Sequence, residues 1–147
     1  MINRTQIAIL ILPCLIGLIS CISCNRPSHE IRIIIPNNYE AEIVLRESPG
    51  VGEPGEFVKG ILLIQIAANG QAKLKTLRAF SEWHQLSANY MDGTRIPVVG
   101  QGATVSPTVI ALRPLFLVGD QGEIRFVVGT EAQAKKIVDG KFGLGNK

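Results

Sequence analysis

Ile31-Arg32-Ile33-Ile34-Ile35-Pro36-Asn37-Asn38-Tyr39-Glu40-Ala41-Glu42-Ile43-Val44-Leu45-Arg46-Glu47 reads as two β-strands and the turn between them. β-Branched residues crowd the first five positions, and such side chains fit the pleated strand better than the helix. Pro36 stops the run, because a residue without a backbone N–H is excluded from the interior of a central strand. Asn37-Asn38 supplies turn chemistry. From Glu40 the pattern alternates, with Ala41, Ile43 and Leu45 on one face and Glu40, Glu42, Val44 and Arg46 on the other, the period-2 signature of a half-buried strand.

Further along, the same pattern recurs in short units. Residues 48–55 carry Pro49, Gly50, Gly52, Pro54 and Gly55 and form a loop. Residues 61–67 and 71–77 flank Asn69-Gly70, which offers the two positive-φ positions of a type I′ turn and predicts a β-hairpin. Residues 80–90 admit two readings, a short helix capped by Ser81 or an aromatic-rich loop. Residues 93–107, rich in Gly, Thr and Pro, form a long connection with a short strand at 96–99. Residues 108–112 and 115–118 read as one strand broken at Pro114, and Asp120-Gln121-Gly122 turns it into a last strand at 123–128. Thr130 and Gln133 form a capping box that opens a C-terminal helix, with a narrow apolar stripe of Ala134, Ile137 and Val138 and a stop at Gly140. The expected fold is mainly β: a single β-sandwich or partly open barrel of short antiparallel strands with one C-terminal α-helix.

Ahead of this domain, Arg4 precedes an apolar run from Ile7 to Ile19 that ends in Leu18-Ile19-Ser20-Cys21. A charged start, a short apolar segment and a small residue before the cut make a secretory signal. Pro13 and Gly17 interrupt the run and Ser23, Asn25 and Arg26 follow it, so it falls short of the roughly 20 apolar residues of a spanning helix. The junction resembles the signal of bacterial lipoproteins, whose cysteine becomes the new amino terminus and carries a diacylglycerol and usually a further acyl group. That resemblance makes Cys21 the lipidation site, with Cys24 as the alternative because Ser23-Cys24 repeats the small-residue junction. The chain then divides into a signal peptide at 1–20, a lipid anchor and short tether at 21–30, and a β-rich globular domain at 31–147. Two or more acyl chains are what stable anchoring requires.

About 125 residues remain after processing, one domain by the usual size and enough to bury a core unaided. Cys14, Cys21 and Cys24 all lie at or before the processing region, so the domain has no disulfide. The formal net charge is +3, or +2 without Arg4, and the Lys and Arg residues are scattered singly among acidic ones. No basic block tracks a phosphate backbone, which argues against a nucleic-acid partner.

The candidate chemistry is sparse. Gly50-Val51-Gly52-Glu53-Pro54-Gly55 matches the dinucleotide-binding string, but prolines flank it and no helix follows, so no dinucleotide cofactor is expected. His29 and His84 lack nearby His or Cys ligands, so no metal is expected either. Asp120 and Glu123 alone are too few oxygens for calcium. Ser106 lacks a nucleophile-elbow setting, leaving no catalytic residue assigned. Glu40 and Glu42 share a strand face and read as solubilising, edge-protecting charges. Glu82, Trp83 and His84 place a carboxylate, an indole and an imidazole within one turn and are the only ligand-binding candidates. The plainer expectation is that Trp83 and Tyr90 pack on the sheet while Glu82 and His84 face solvent.

The segment Ile35-Pro36-Asn37-Asn38-Tyr39-Glu40-Ala41-Glu42-Ile43 resembles the opening of a family of small bacterial lipoproteins and exported domains of unknown function. Its pattern is Ile-Pro, a Tyr three residues after the Pro and a small residue two further on, where Ala41 replaces the commoner Gly. The Gly-Pro loop, the Asn-Gly hairpin and Phe126-Val127-Val128-Gly129-Thr130 extend the resemblance from Ile33 to Thr130. It implies a fold and an exported compartment and carries no site. The expected role is a membrane-tethered, non-enzymatic binding module with an envelope protein partner, on the periplasmic or cell-surface face of a bacterial membrane. The alternatives are a small envelope hydrolase or enzyme accessory using Glu82 and His84, and a purely structural envelope component.

Overall fold

The computed structural model describes residues 29–102, 104–115 and 122–143. The described elements are β1 (His29–Ile35), β2 (Glu42–Glu47), β3 (Glu56–Val58), β4 (Ile61–Gln65), β5 (Gln71–Leu74), α1 (Arg78–Ser81), β6 (His84–Tyr90), β7 (Arg95–Ile96), β8 (Ala111–Leu115), β9 (Glu123–Gly129) and α2 (Glu131–Phe142). One sheet has the order β3-β4-β1-β6-β7 and the other β5-β2-β9-β8. Ile31, Ile33 and Ile35 of β1 share one core with Ile43, Leu45, Phe126 and Val128 of the second sheet. Each such side chain contributes about 1.5–3 kcal/mol by leaving water. Single bridges join the sheets at both edges, Glu53 to Leu74 and Val98 to Leu112, without closing a barrel.

The mainly β architecture and the C-terminal helix match the sequence pattern, but the pairing is mixed. β1 runs parallel to both β4 and β6, and β2 runs parallel to β5. In the first sheet β1, β4 and β6 alternate buried and part-exposed residues, so one face stays partly open, whereas β2 and β9 of the second sheet are buried on both faces. In β2, Val44 is buried along with Ile43 and Leu45, and in β9 Val127 is buried along with Phe126 and Val128, where α2 packs with its buried Ala134.

The Asn69-Gly70 hairpin is corrected outright: β4 and β5 lie in different sheets. Among described non-glycine residues only Asn38 and Lys59 have positive φ, so Asn69 lacks the type I′ conformation. The Gly70 amide instead bonds the Ala67 carbonyl at 2.9 Å, and a Cβ at Gly70 would fall on the Tyr39 hydroxyl and 2.6 Å from the Glu42 carbonyl oxygen. Tyr39 therefore threads the space that the turn leaves open, and the chain passes from one sheet to the other. The hairpin with two positive-φ residues is Lys59-Gly60, which joins β3 to β4.

Residues 84–90, read as helix or loop, form the interior strand β6, with Leu86 and Ala88 buried and Gln85 exposed. The period-2 alternation was present but short, and aromatic neighbours masked it. β8 runs through Pro114, which the sheet tolerates because β8 is an edge strand. The Thr130–Gln133 capping box is formed as expected, and the helix passes Gly140 to end at Gly143, whose φ is 63°. The Ile-Pro-x-x-Tyr segment is a corner between sheets. The Tyr39 amide donates to the Pro36 carbonyl at 3.2 Å, Asn38 takes a φ of 60°, and the Tyr39 hydroxyl donates to the Glu42 carbonyl at 2.6 Å.

Candidate functional site

The Glu82-Trp83-His84 segment lies at the start of β6, where His84 pairs in register with His29 at the start of β1. The two imidazoles stack at 6.3 Å with 26° between their planes, and the Phe80 ring meets His84 edge-on at 5.5 Å. His29 Nε2 lies 3.2 Å from the Ala79 carbonyl, which ties α1 to the first strand. The carboxylate and imidazole do not act on each other. The Glu82 side chain pairs with Arg78 at 3.3 Å, one turn back, while His84 Nδ1 lies 2.7 Å from the Glu82 carbonyl oxygen. Trp83 does not pack on the sheet: it is 86 % exposed, whereas Tyr90 does pack against the core.

A concave feature, which the sequence reading missed, opens at the seam between the sheets. A cleft of about 770 Å³ runs between β4, β5 and the loop before β3. Ile34, Leu63 and Val51 supply apolar walls, and Glu53, Glu56, Gln65, Gln71 and Lys73 supply polar groups. Its floor explains the glycine string. A Cβ on Gly52 would run into the Leu74 backbone, so Gly52 is what lets the loop lie against β5. There the Glu53 amide donates to Lys73 O at 2.9 Å and the Lys75 amide to Glu53 O at 2.8 Å. The string leads into β3, a strand rather than a helix. Alternating charged and amide residues on either side of a glycine loop were the only sequence signal for this cleft, and nothing in the spacing joins 51–56 to 65–73.

The remaining charged cluster sits under α2. Glu42 accepts from Arg125 at 3.0 Å and from Lys141 at 2.5 Å, and Glu123 accepts from Arg46 at 2.6 Å and also pairs with Arg125. Burial pushes the Glu42 carboxyl up, but the hydrogen bonds from Lys141 and Arg125 outweigh it and hold the group below the ordinary carboxylate range. Glu123 is lowered by Arg125 and Arg46 against the same opposing burial. Glu42 thus occupies an interior strand as a clamp on the last turn of α2, which corrects its reading as an edge charge. Glu40 binds the first turn, accepting from Gln133 Nε2 at 3.1 Å. Glu30, on the outer face of the first sheet, is lowered chiefly by the Ser87 hydroxyl, against burial and with help from Arg32.

Ser106 lies in the loop before β8, its hydroxyl 3.2 Å from that of Thr108. The buried Arg113 holds that loop by donating to the carbonyls of Gly129, Ser106 and Val109. Among the described residues no cluster of three or more His, Cys, Asp and Glu residues could hold a metal, and no helix is long and apolar enough to cross a membrane. Cys21, Cys24 and Asp120 lie outside the described residues.

No family model and no curated protein matches the chain. A crystal structure described as a "Putative Lipoprotein" from Bacillus anthracis is similar over 69% of this chain and 71% of that one, at 13% identity and a TM-score of 0.44.

Proposed function

We propose that this chain is an exported bacterial lipoprotein whose β domain binds an envelope partner through the seam cleft. Leu18-Ile19-Ser20-Cys21 supports the anchor at Cys21, with Cys24 as the alternative, after removal of residues 1–20. The observation that carries the binding role is the cleft itself: apolar walls beside amides, two carboxylates and one ammonium are the composition of a recognition site. Its partner is a polar peptide segment or similar envelope component rather than a lipid chain, because Glu53, Glu56 and Lys73 would otherwise be buried without counter-groups. The domain works without catalysis in this reading, since the Glu82 carboxylate is engaged by Arg78 and does not orient His84.

Photo-crosslinking in intact cells tests this. A crosslinker replacing Gln65 should trap one discrete partner, and Lys73→Glu should weaken that adduct, whereas His84→Ala should leave it intact. Absence of any adduct from the cleft, together with substrate turnover by the purified protein that His84→Ala abolishes, would replace the binding role with an enzymatic one.

A further inference from the structure

Beyond the anchor and the cleft, one end of the domain carries exposed groups that neither uses. Trp83 is the single tryptophan of the chain and is 86 % exposed, an expensive position for an indole with no aromatic partner among the described residues. It precedes His84, which pairs in register with His29, the first residue of β1. β4 runs parallel to β1 and begins beside it, Ile61 opposite Glu30, so the Lys59-Gly60 turn lies at the same end. β4 and β6 each flank β1 at one strand spacing, which sets these two features about 10 Å apart. The exposed Val58 adjoins the turn, and the Arg78 side chain, 82 % exposed, pairs with Glu82, the residue before Trp83.

The length of the chain preceding β1 limits how far this end stands from a lipidated cysteine. His29 stands five positions after Cys24 and eight after Cys21. At about 3.4 Å per extended residue the start of β1 lies no farther than about 17 or 27 Å from the lipidated sulfur. That sulfur sits at the glycerol level of the bilayer, so the end bearing Trp83 is held within a tether's reach of the headgroups. Indole rings partition to that level, and exposed Lys and Arg there meet lipid phosphates.

Resting on the lipoprotein reading above, we propose that this end of the domain docks on the phospholipid surface that carries its anchor, with the Trp83 indole among the headgroups and Arg78 and Lys59 against lipid phosphates. Glu82 opposes this charge: its pair with Arg78 is mutual, so a lipid phosphate takes the guanidinium in exchange for that carboxylate and Lys59 supplies the net attraction. The anchor and Trp83 then form two attachment points that set the orientation of the seam cleft relative to the membrane.

Trp83 is its own reporter. The full processed protein is reconstituted into vesicles of phosphatidylethanolamine and phosphatidylglycerol, with flotation and tryptophan emission measured in parallel. Docking predicts a loss of emission when the lipids are brominated near the top of the acyl chain, with matching protection from aqueous acrylamide, because a ring seated at an interface lies at the headgroup and acyl boundary. Arg78→Glu/Lys59→Glu, both at exposed positions, should restore acrylamide access while flotation persists. Protein that floats with the vesicles while Trp83 is untouched by brominated lipid and open to acrylamide overturns the docking and leaves the anchor standing. Protein that neither floats nor is quenched overturns both.

Discussion

Gly70→Ala is the substitution that most sharply probes why the chain crosses between sheets at Asn69-Gly70. Gly70 has a φ of 78°, where an L side chain costs about 1–2 kcal/mol. Its Cβ would also occupy the position of the Tyr39 hydroxyl and approach the Glu42 carbonyl at 2.6 Å. Displacing Tyr39 loses its hydrogen bond to that carbonyl, about 1 kcal/mol, and overpacking adds roughly 1 kcal/mol more. The sum is about 3–4 kcal/mol, a large part of the stability of a domain this size. Gly100→Ala is the control, since Gly100 has a φ of 88° with nothing within 4 Å of its Cβ, and should cost only the backbone term. Urea unfolding should be followed by far-ultraviolet circular dichroism, because the exposed Trp83 reports little of the core. At a slope of about 1.5 kcal/mol per molar, Gly70→Ala should lower the midpoint by about 2 M and Gly100→Ala by about 1 M. Tyr39→Phe in the Gly70→Ala background should recover part of the difference by removing the atom in collision. Equal costs at Gly70 and Gly100, or no coupling to Tyr39, would refute the account of this crossing.

The charged cluster under α2 gives a prediction with a definite sign. The Glu42 pKa is lower folded than unfolded, so its contribution is complete above the unfolded value and disappears as pH falls through the folded one. Glu42→Gln should cost about 1–2 kcal/mol at neutral pH, discounted for its partial exposure, and its unfolding midpoint should converge with that of the unaltered protein in acid; a gap that stays constant with pH would contradict the assignment. Thr130→Ala removes the hydroxyl that caps the Gln133 amide and should cost about 1 kcal/mol by the same urea assay, with Thr130→Ser close to neutral. A loss below a few tenths of a kcal/mol would mean that α2 is held by Glu42 and Lys141 rather than by its cap.

Local signals were legible wherever the chain settles its own conformation. The β-branched run of β1, the alternation of β2 and the Thr130 capping box each read directly, because the residues that satisfy them are neighbours in sequence. Pairing partners did not read, because they depend on contacts made elsewhere. Asn69-Gly70 has hairpin composition, yet Tyr39, some thirty positions earlier, decides its geometry. Lys59-Gly60 lacks the favoured Asn or Asp and still forms the hairpin, since β3 and β4 fit each other across it. β6 was obscured by Trp83, whose indole suggested packing on the sheet; Tyr90 does pack on the core as expected, while Trp83 is exposed and Phe80 packs there in its place. Pro114 suggested a break that the open edge of β8 makes unnecessary. Of the site, Glu82, Trp83 and His84 were visible as a cluster of reactive types, but not the Arg78 pairing that separates them. The seam cleft was invisible because its walls come from segments that only the fold brings together.

The central claim is that this domain is tethered by a lipid on the cysteine that follows Leu18-Ile19-Ser20, and the mass of the mature amino terminus tests it most directly. Purified from the membrane of a bacterial host, the protein should yield an amino-terminal peptide that begins at Cys21 and carries the mass of a diacylglycerol with or without a further acyl chain. A lipidated peptide beginning at Cys24 would move the attachment point and shorten the tether by three residues. An unmodified peptide retaining Ser20 and the residues before it would contradict the lipoprotein account.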